Sequence, residues 1–188
     1  MDMQCMKENK EPRKRKFRRF DGYKYGWLKD MEKFLVLIVV VFLVFQFVIS
    51  VSVVKGDSME HTLKNGEGVL YGRLNKEYKT GDVVSVKIPS GEYYVKRIIA
   101  TEGDTIDLKD GQVYLNEKPL DESYAVGETV PQQGTVHYPM TLEKGQVFVM
   151  GDNREDSMDS RTFGVIGTRQ IKGKLLLRFG RWYVEEVE

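Results

Sequence analysis

Thr105-Ile106-Asp107-Leu108-Lys109-Asp110-Gly111-Gln112-Val113-Tyr114-Leu115 alternates apolar and polar side chains on both sides of Asp110-Gly111. A period of two marks a half-buried strand. An Asp-Gly pair between two such strands supplies the positive φ angles of a tight hairpin. The spacing therefore predicts an antiparallel hairpin. Further out, short apolar runs between Gly and Asp turns repeat the pattern: Gly68–Tyr71, Val83–Ile88, Tyr93–Ala100, Gln112–Leu115, Val147–Met150 and Lys174–Phe179. No long stretch of residues 55–188 has a helical period. The expected fold is mainly β, with antiparallel sheets. Residues 121–141, with Pro131, Gly134 and Pro139, read as an irregular connection. Together with the hairpin they make residues 104–145, approximately, a peripheral insertion.

The whole chain has 188 residues, 30% charged and 41% hydrophobic, a globular balance rather than a disordered one. Its net charge of +1 gives no case for a nucleic-acid partner. Cys5 is the single cysteine, and His61 and His137 are the two histidines. That excludes an internal disulfide framework, a cysteine-rich zinc site and a three-histidine metal site. No cofactor and no metal are expected.

The charge is unevenly spread. Residues 1–33 hold 11 Lys/Arg against 6 Asp/Glu, residues 34–54 hold none of either, and residues 55–188 hold 18 against 22. Phe34–Val54 reads FLVLIVVVFLVFQFVISVSVV, and as a helix it would span about 31 Å, the thickness of a bilayer core. The basic run Arg13-Lys14-Arg15-Lys16-Phe17-Arg18-Arg19 precedes it. Positive charge stays inside, so the expected layout is a cytoplasmic segment 1–33, a single plasma-membrane anchor 34–54 and an extracytoplasmic β-rich domain 55–188. Trp27, Tyr23 and Tyr25 suit the inner interface, Cys5 reads as a free cytoplasmic thiol, and membrane lipid is an expected partner. The competing reading is a cleavable signal peptide, with Ser50 and Ser52 marking its end. The long apolar stretch and the long segment before it favour the anchor.

The chain has no Gly-x-Ser-x-Gly elbow, P-loop or dinucleotide fingerprint, so a nucleophile must come from Ser, Thr or Lys. A Ser-His-Asp triad would need His61 or His137, and neither has a recognisable setting. In Tyr94-Val95-Lys96-Arg97-Ile98-Ile99-Ala100, strand alternation puts Tyr94, Lys96, Ile98 and Ala100 on one face. An ordinary lysine is only about 0.04% neutral at pH 7. Burial in an apolar row lowers its pKa and makes it a competent base. The alternative is an edge-strand lysine whose stem reaches solvent. Ser58, in Gly56-Asp57-Ser58-Met59-Glu60-His61-Thr62-Leu63, lies four residues past the apolar run. It is either a linker serine or a nucleophile working close to the outer membrane face.

Ser58-Met59-Glu60-His61-Thr62-Leu63 after an apolar anchor resembles the serine box of type I signal peptidases, whose pattern is Ser-Met-x-Pro-Thr-Leu. Gly81-Asp82-Val83-Val84 resembles the following strand box. Tyr94 to Ala100 with Gly103-Asp104 resembles the lysine box. Gly151-Asp152-Asn153-Arg154-Glu155-Asp156-Ser157-Met158-Asp159-Ser160-Arg161 with Phe163-Gly164 resembles the last box. The boxes come in family order over most of residues 55–167, and a single anchor resembles the Gram-positive form.

The resemblance implies a β-rich catalytic domain of packed antiparallel sheets that removes signal peptides from exported preproteins, cutting after small residues of the Ala-x-Ala type. It implies Ser58 as nucleophile, Lys96 as general base, the Ser58 backbone N–H as oxyanion donor and Ser157 as the serine that orients the lysine. Arg97, Asp152, Asp159 and Arg161 match structural ion pairs, with Arg97 the partner of Asp152. Gly56 stands where some members place a further hydroxyl donor.

His61 stands where the pattern has proline. Proline would hold the turn beside the nucleophile, so proline at position 61 is expected to keep or raise activity. His61 is otherwise an exposed loop residue or a replacement base. The substitution leaves a second reading, a weakly active or non-cleaving paralogue that binds exported segments. A self-cleaving repressor would share the dyad, but would carry a DNA-binding domain in place of the anchor.

Overall fold

The computed structural model describes residues 26–132, 136–180 and 183–187. The chain forms two compact units, the first ending at Val41 and the second beginning at Phe42. Cys5, the basic run Arg13–Arg19, Tyr23 and Tyr25 lie outside the described residues.

The described residues of the first unit are helical. Helix α1 covers Gly26–Leu43, with no buried residue, and runs on into a wider π-helical turn, Val44–Val48. These 23 helical residues extend roughly 34 Å at 1.5 Å per residue. Phe34, Leu35 and Phe42 are all exposed. From Phe34 onward the helix is apolar all round and unburied, and it fits a membrane anchor in length and composition.

The expected helix over residues 34–54 is corrected at both ends. The chain is already helical at Gly26, and at Ile49 it turns extended, with φ −130° and ψ 158°. Ile49-Ser50-Val51-Ser52-Val53 alternates β-branched and polar residues. It pairs as a strand with Gly68–Gly72, so tertiary pairing decides where the helix stops.

In the second unit the chain first lays down β1 (Ile49–Val53), β2 (Gly68–Gly72), β3 (Val83–Lys87) and β4 (Tyr93–Ala100). It then builds β5 (Thr105–Lys109), β6 (Gln112–Leu115), β7 (Lys118–Pro119) and β8 (Met140–Thr141). It returns through β9 (Gln146–Met150), the short helix α2 (Ser160–Phe163), β10 (Ile166–Gly167), β11 (Ile171–Phe179) and β12 (Val184–Glu186). The main sheet has eight strands in the order β1-β2-β11-β3-β4-β9-β10, with β12 also on β11, and the smaller sheet runs β7-β6-β5-β8. All strand pairs are antiparallel. The hairpin β5–β6 turns on Asp110 and Gly111, whose φ angles are +51° and +74°, as the Asp-Gly pair requires.

Three apolar clusters fill the unit. The first gathers Val54, Met59, Leu63, Val69, Tyr71, Val83, Leu175 and Val187. The second joins β3, β4 and β9 through Val84, Val86, Ile98 and Val149. The third seals the small sheet on the large one, with Ile106, Leu108 and Val113 against Ile99, Ala100, Phe148 and Met150. Burying each such side chain contributes about 1.5–3 kcal/mol.

Strand β4 fixes the site. It lies between β3 and β9, so Lys96 is on an interior strand and not on an edge. Lys96 is directly opposite Val84 and only 2% exposed. The expected face of Tyr94, Lys96, Ile98 and Ala100 holds only as far as Ile98. The register against β9 shifts between Ile98 and Ala100, and this bulge sends both Ile99 and Ala100 into the third cluster.

Candidate active site

Ser58 begins a tight turn between β1 and β2. Glu60 N–H donates to the Asp57 carbonyl, and Thr62 and Leu63 N–H both donate to the Met59 carbonyl. Met59 and Leu63, four apart, are 1% and 0% exposed and anchor the turn in the first cluster. Asn153 ties it from the other side, its N–H on the Ser58 carbonyl and its side-chain amide on the Asp57 carbonyl. Among the described residues nothing accepts from the Ser58 N–H.

Lys96 reaches the turn from β4. Its Nζ donates to Ser58 Oγ at 2.6 Å and to Ser157 Oγ at 3.1 Å. Burial pushes the Lys96 ammonium down from 10.5 to about 8, the Asp159 charge opposing that shift and Arg161 adding to it. A lysine in this state loses its proton within the range in which enzymes work. Ser58 and Lys96 open on a cleft of about 530 Å³, whose wall includes Val69, Tyr71 and Val95.

Two buried ion pairs frame the pair. Arg97 grips Asp152 through Nε at 3.0 Å and Nη2 at 2.9 Å, and its Nη1 donates to the Gly81 carbonyl. Thr62 Oγ1 donates to the same carboxylate, so β4, the Ser58 turn and the loop after β9 meet at Asp152. Arg161 grips Asp159 through Nε and Nη2, each at 2.9 Å. Asp159 also accepts from the Gly151 N–H, and Arg161 donates to the Arg154 carbonyl. Removing one member of such a pair leaves a bare buried charge, at a cost of about 3–5 kcal/mol.

Ser58, Lys96 and Ser157 are thus brought together, with Arg97–Asp152 and Arg161–Asp159 around them. His61 is exposed, and among the described residues the side-chain partner of Ser58 Oγ is Lys96. The backbone at His61 has φ +80°. Proline, locked near −65°, cannot take that conformation. The expectation that proline would suit this turn is therefore corrected.

A family model described as signal peptidase, peptidase S26, matches residues 27–182. The chain belongs to the peptidase S26 family of signal peptidases. Signal peptidase IB of Staphylococcus aureus (strain N315) is 36% identical over 163 residues, 77% of this chain and 84% of that protein. Signal peptidase I S of Bacillus subtilis (strain 168) is 38% identical over 160 residues, 78% of this chain and 84% of its own length. A crystal structure of a signal peptidase I from Enterococcus faecalis V583 covers 52% of this chain and 96% of its own, at 26% identity and a TM-score of 0.46.

In this signal peptidase further residues bear on the site, and sequence reasoning gave them no role. Arg154, 1% exposed, holds Glu122 through both terminal nitrogens and donates to Thr129 Oγ1 and the Gly151 carbonyl. Gln132 donates to the Ser157 carbonyl at 3.3 Å and accepts from Thr162 Oγ1. The connection read as irregular therefore straps the loop that carries Ser157. The signal available was Arg154 itself, the other arginine of the last box beside Arg161. Its acidic partner, 32 residues away, has no local marker.

Proposed function

We propose that the protein is a membrane-anchored Ser/Lys endopeptidase that removes signal peptides from exported preproteins. The carrying observation is the 2.6 Å hydrogen bond from Lys96 Nζ to Ser58 Oγ inside the buried site. With its pKa near 8, Lys96 is neutral in about a tenth of molecules at pH 7 and half at pH 8.

Neutral Lys96 takes the Ser58 proton as Oγ attacks the scissile carbonyl. The Ser58 N–H donates to the oxyanion that forms. Collapse of this intermediate breaks the C–N bond, and Lys96 delivers its proton to the departing amine. An acyl ester on Ser58 remains. Lys96, neutral again, deprotonates a water that attacks this ester, and Ser58 recovers its hydrogen. Ser157 Oγ holds the amine on line between these transfers.

The preferred substrate in this reading is an extended segment with small side chains beside the scissile bond, as in Ala-x-Ala, laid along the cleft that Val69, Tyr71 and Val95 line beside Ser58. The excess of Lys/Arg before the anchor supports a cytoplasmic amino terminus and a site on the outer face, where signal peptides emerge and membrane lipid is the neighbour. The test is cleavage of an Ala-x-Ala preprotein by the detergent-solubilised protein, with product masses read beside a Ser58→Ala variant. A cut after the final alanine by wild type alone supports the reading. Binding without cleavage by both would favour a non-cleaving paralogue.

A further inference from the structure

We propose that Arg178 is a positioning residue for the nucleophile turn, gripping Thr62 from the β11–β12 hairpin and so holding Ser58 in line with Lys96. The inference rests on the reading of Ser58 as nucleophile.

His61 holds a left-handed φ of +80°, a conformation that a non-glycine residue keeps only when its surroundings enforce it. The next residue is gripped twice. On one side Thr62 Oγ1 donates to Asp152 and accepts from Arg97. On the other, the Thr62 carbonyl accepts from Arg178 Nη1. The hydroxyl grip comes from β4 and the loop after β9, while the carbonyl grip comes from a different element altogether.

Arg178 is built for this task. On β11 it lies opposite Val69 of β2 and Glu185 of β12. Its Nε and Nη2 both donate to Glu185 Oε2, leaving Nη1 aimed at Thr62. A planar guanidinium can serve both partners with a fixed geometry, and an ammonium cannot. The same tail sends Val187, 8% exposed, into the cluster that holds Met59 and Leu63. The hairpin therefore supports the turn from below and clamps it at its end. Without the clamp the His61 backbone relaxes, and Ser58 Oγ drifts from Lys96 Nζ.

The test uses the full-length protein in detergent, with kcat per mole of folded enzyme and KM on an Ala-x-Ala preprotein. Arg178→Ala is expected to lower kcat roughly ten- to a hundredfold, with KM within about twofold. Arg178→Lys, which keeps the charge on a single nitrogen, should recover part of the loss. A lower melting temperature with kcat per folded molecule unchanged would overturn the proposal, as would a loss confined to KM. If Arg178→Ala does not fold, Glu185→Gln, which keeps the arginine but weakens its anchor, decides by the same kcat criterion. Ser58→Ala runs alongside. Turnover by that variant would overturn the nucleophile reading itself, whereas an inactive Ser58→Ala beside a fully active Arg178→Ala overturns the clamp alone.

Discussion

Gly151 stands so close to Ser157 that a Cβ on it would lie 2.2 Å from Ser157 Oγ, and 2.5 Å from the Ser58 carbonyl oxygen. Space, not φ, demands glycine here, because any side chain would wedge between the two serines that Lys96 joins. Gly151→Ala is expected to cost about 1–3 kcal/mol from overpacking and roughly a hundredfold in turnover. Unfolding curves and single-turnover cleavage check both, and near wild-type turnover would contradict the geometry.

The pH dependence should follow Lys96. Its base form appears as pH rises through about 8, so kcat/KM is expected to climb tenfold per unit below that point and level off above it. A profile from pH 6 to 10 on the preprotein reads this directly. A limb midpoint near 6.5 would instead implicate a histidine.

The same burial has a stability sign. Lys96 holds its proton less tightly in the folded chain than unfolded, so between about 8 and 10.5 the unfolded state carries more protons and stability rises with pH. Below about 8 the folded state bears the full cost of a buried ammonium. Lys96→Met removes that cost. It is expected to abolish turnover yet stabilise the fold at pH 7 by roughly 1–3 kcal/mol, with the gain shrinking towards pH 10. Urea unfolding at both pH values measures it, and a destabilised variant at pH 7 would refute the burial argument.

At His61 the φ of +80° orders the substitutions. His61→Gly relieves a left-handed strain and should stabilise the protein by about 0.5–1 kcal/mol with activity kept. His61→Pro cannot adopt the angle and should lose most turnover. Equal activity of the two variants would show that the turn tolerates either backbone.

Much of the β framework was legible because its signals are local. Alternation and Asp110-Gly111 marked the β5–β6 hairpin, and β4 ends where the apolar run Tyr93–Ala100 ends. Strand β1 was hidden because Ile49–Val53 continues an uncharged run, and only pairing with β2 separates it from the helix. Strands β7, β8 and β10 have two residues each, too few to carry a period, so tertiary contacts define them. Of the site, strand alternation singled out Lys96 and the end of the apolar run singled out Ser58, while the family boxes supplied their roles and Ser157. The side chain of Lys96 could be read either way, since an apolar row does not say whether a strand lies at an edge. Glu122 and Gln132 on a connecting loop and Arg178 on β11 act across long sequence separations, and no short pattern marks them.

The most direct measurement is the mass of the peptide bearing Ser58 after rapid acid quench of wild-type protein mixed with an Ala-x-Ala preprotein. The dyad predicts a transient acyl mass, equal to the signal peptide less water, on Ser58. That adduct should be absent from Ser58→Ala and should not accumulate in Lys96→Met. An adduct on another residue, or sustained cleavage by Ser58→Ala, would contradict the account.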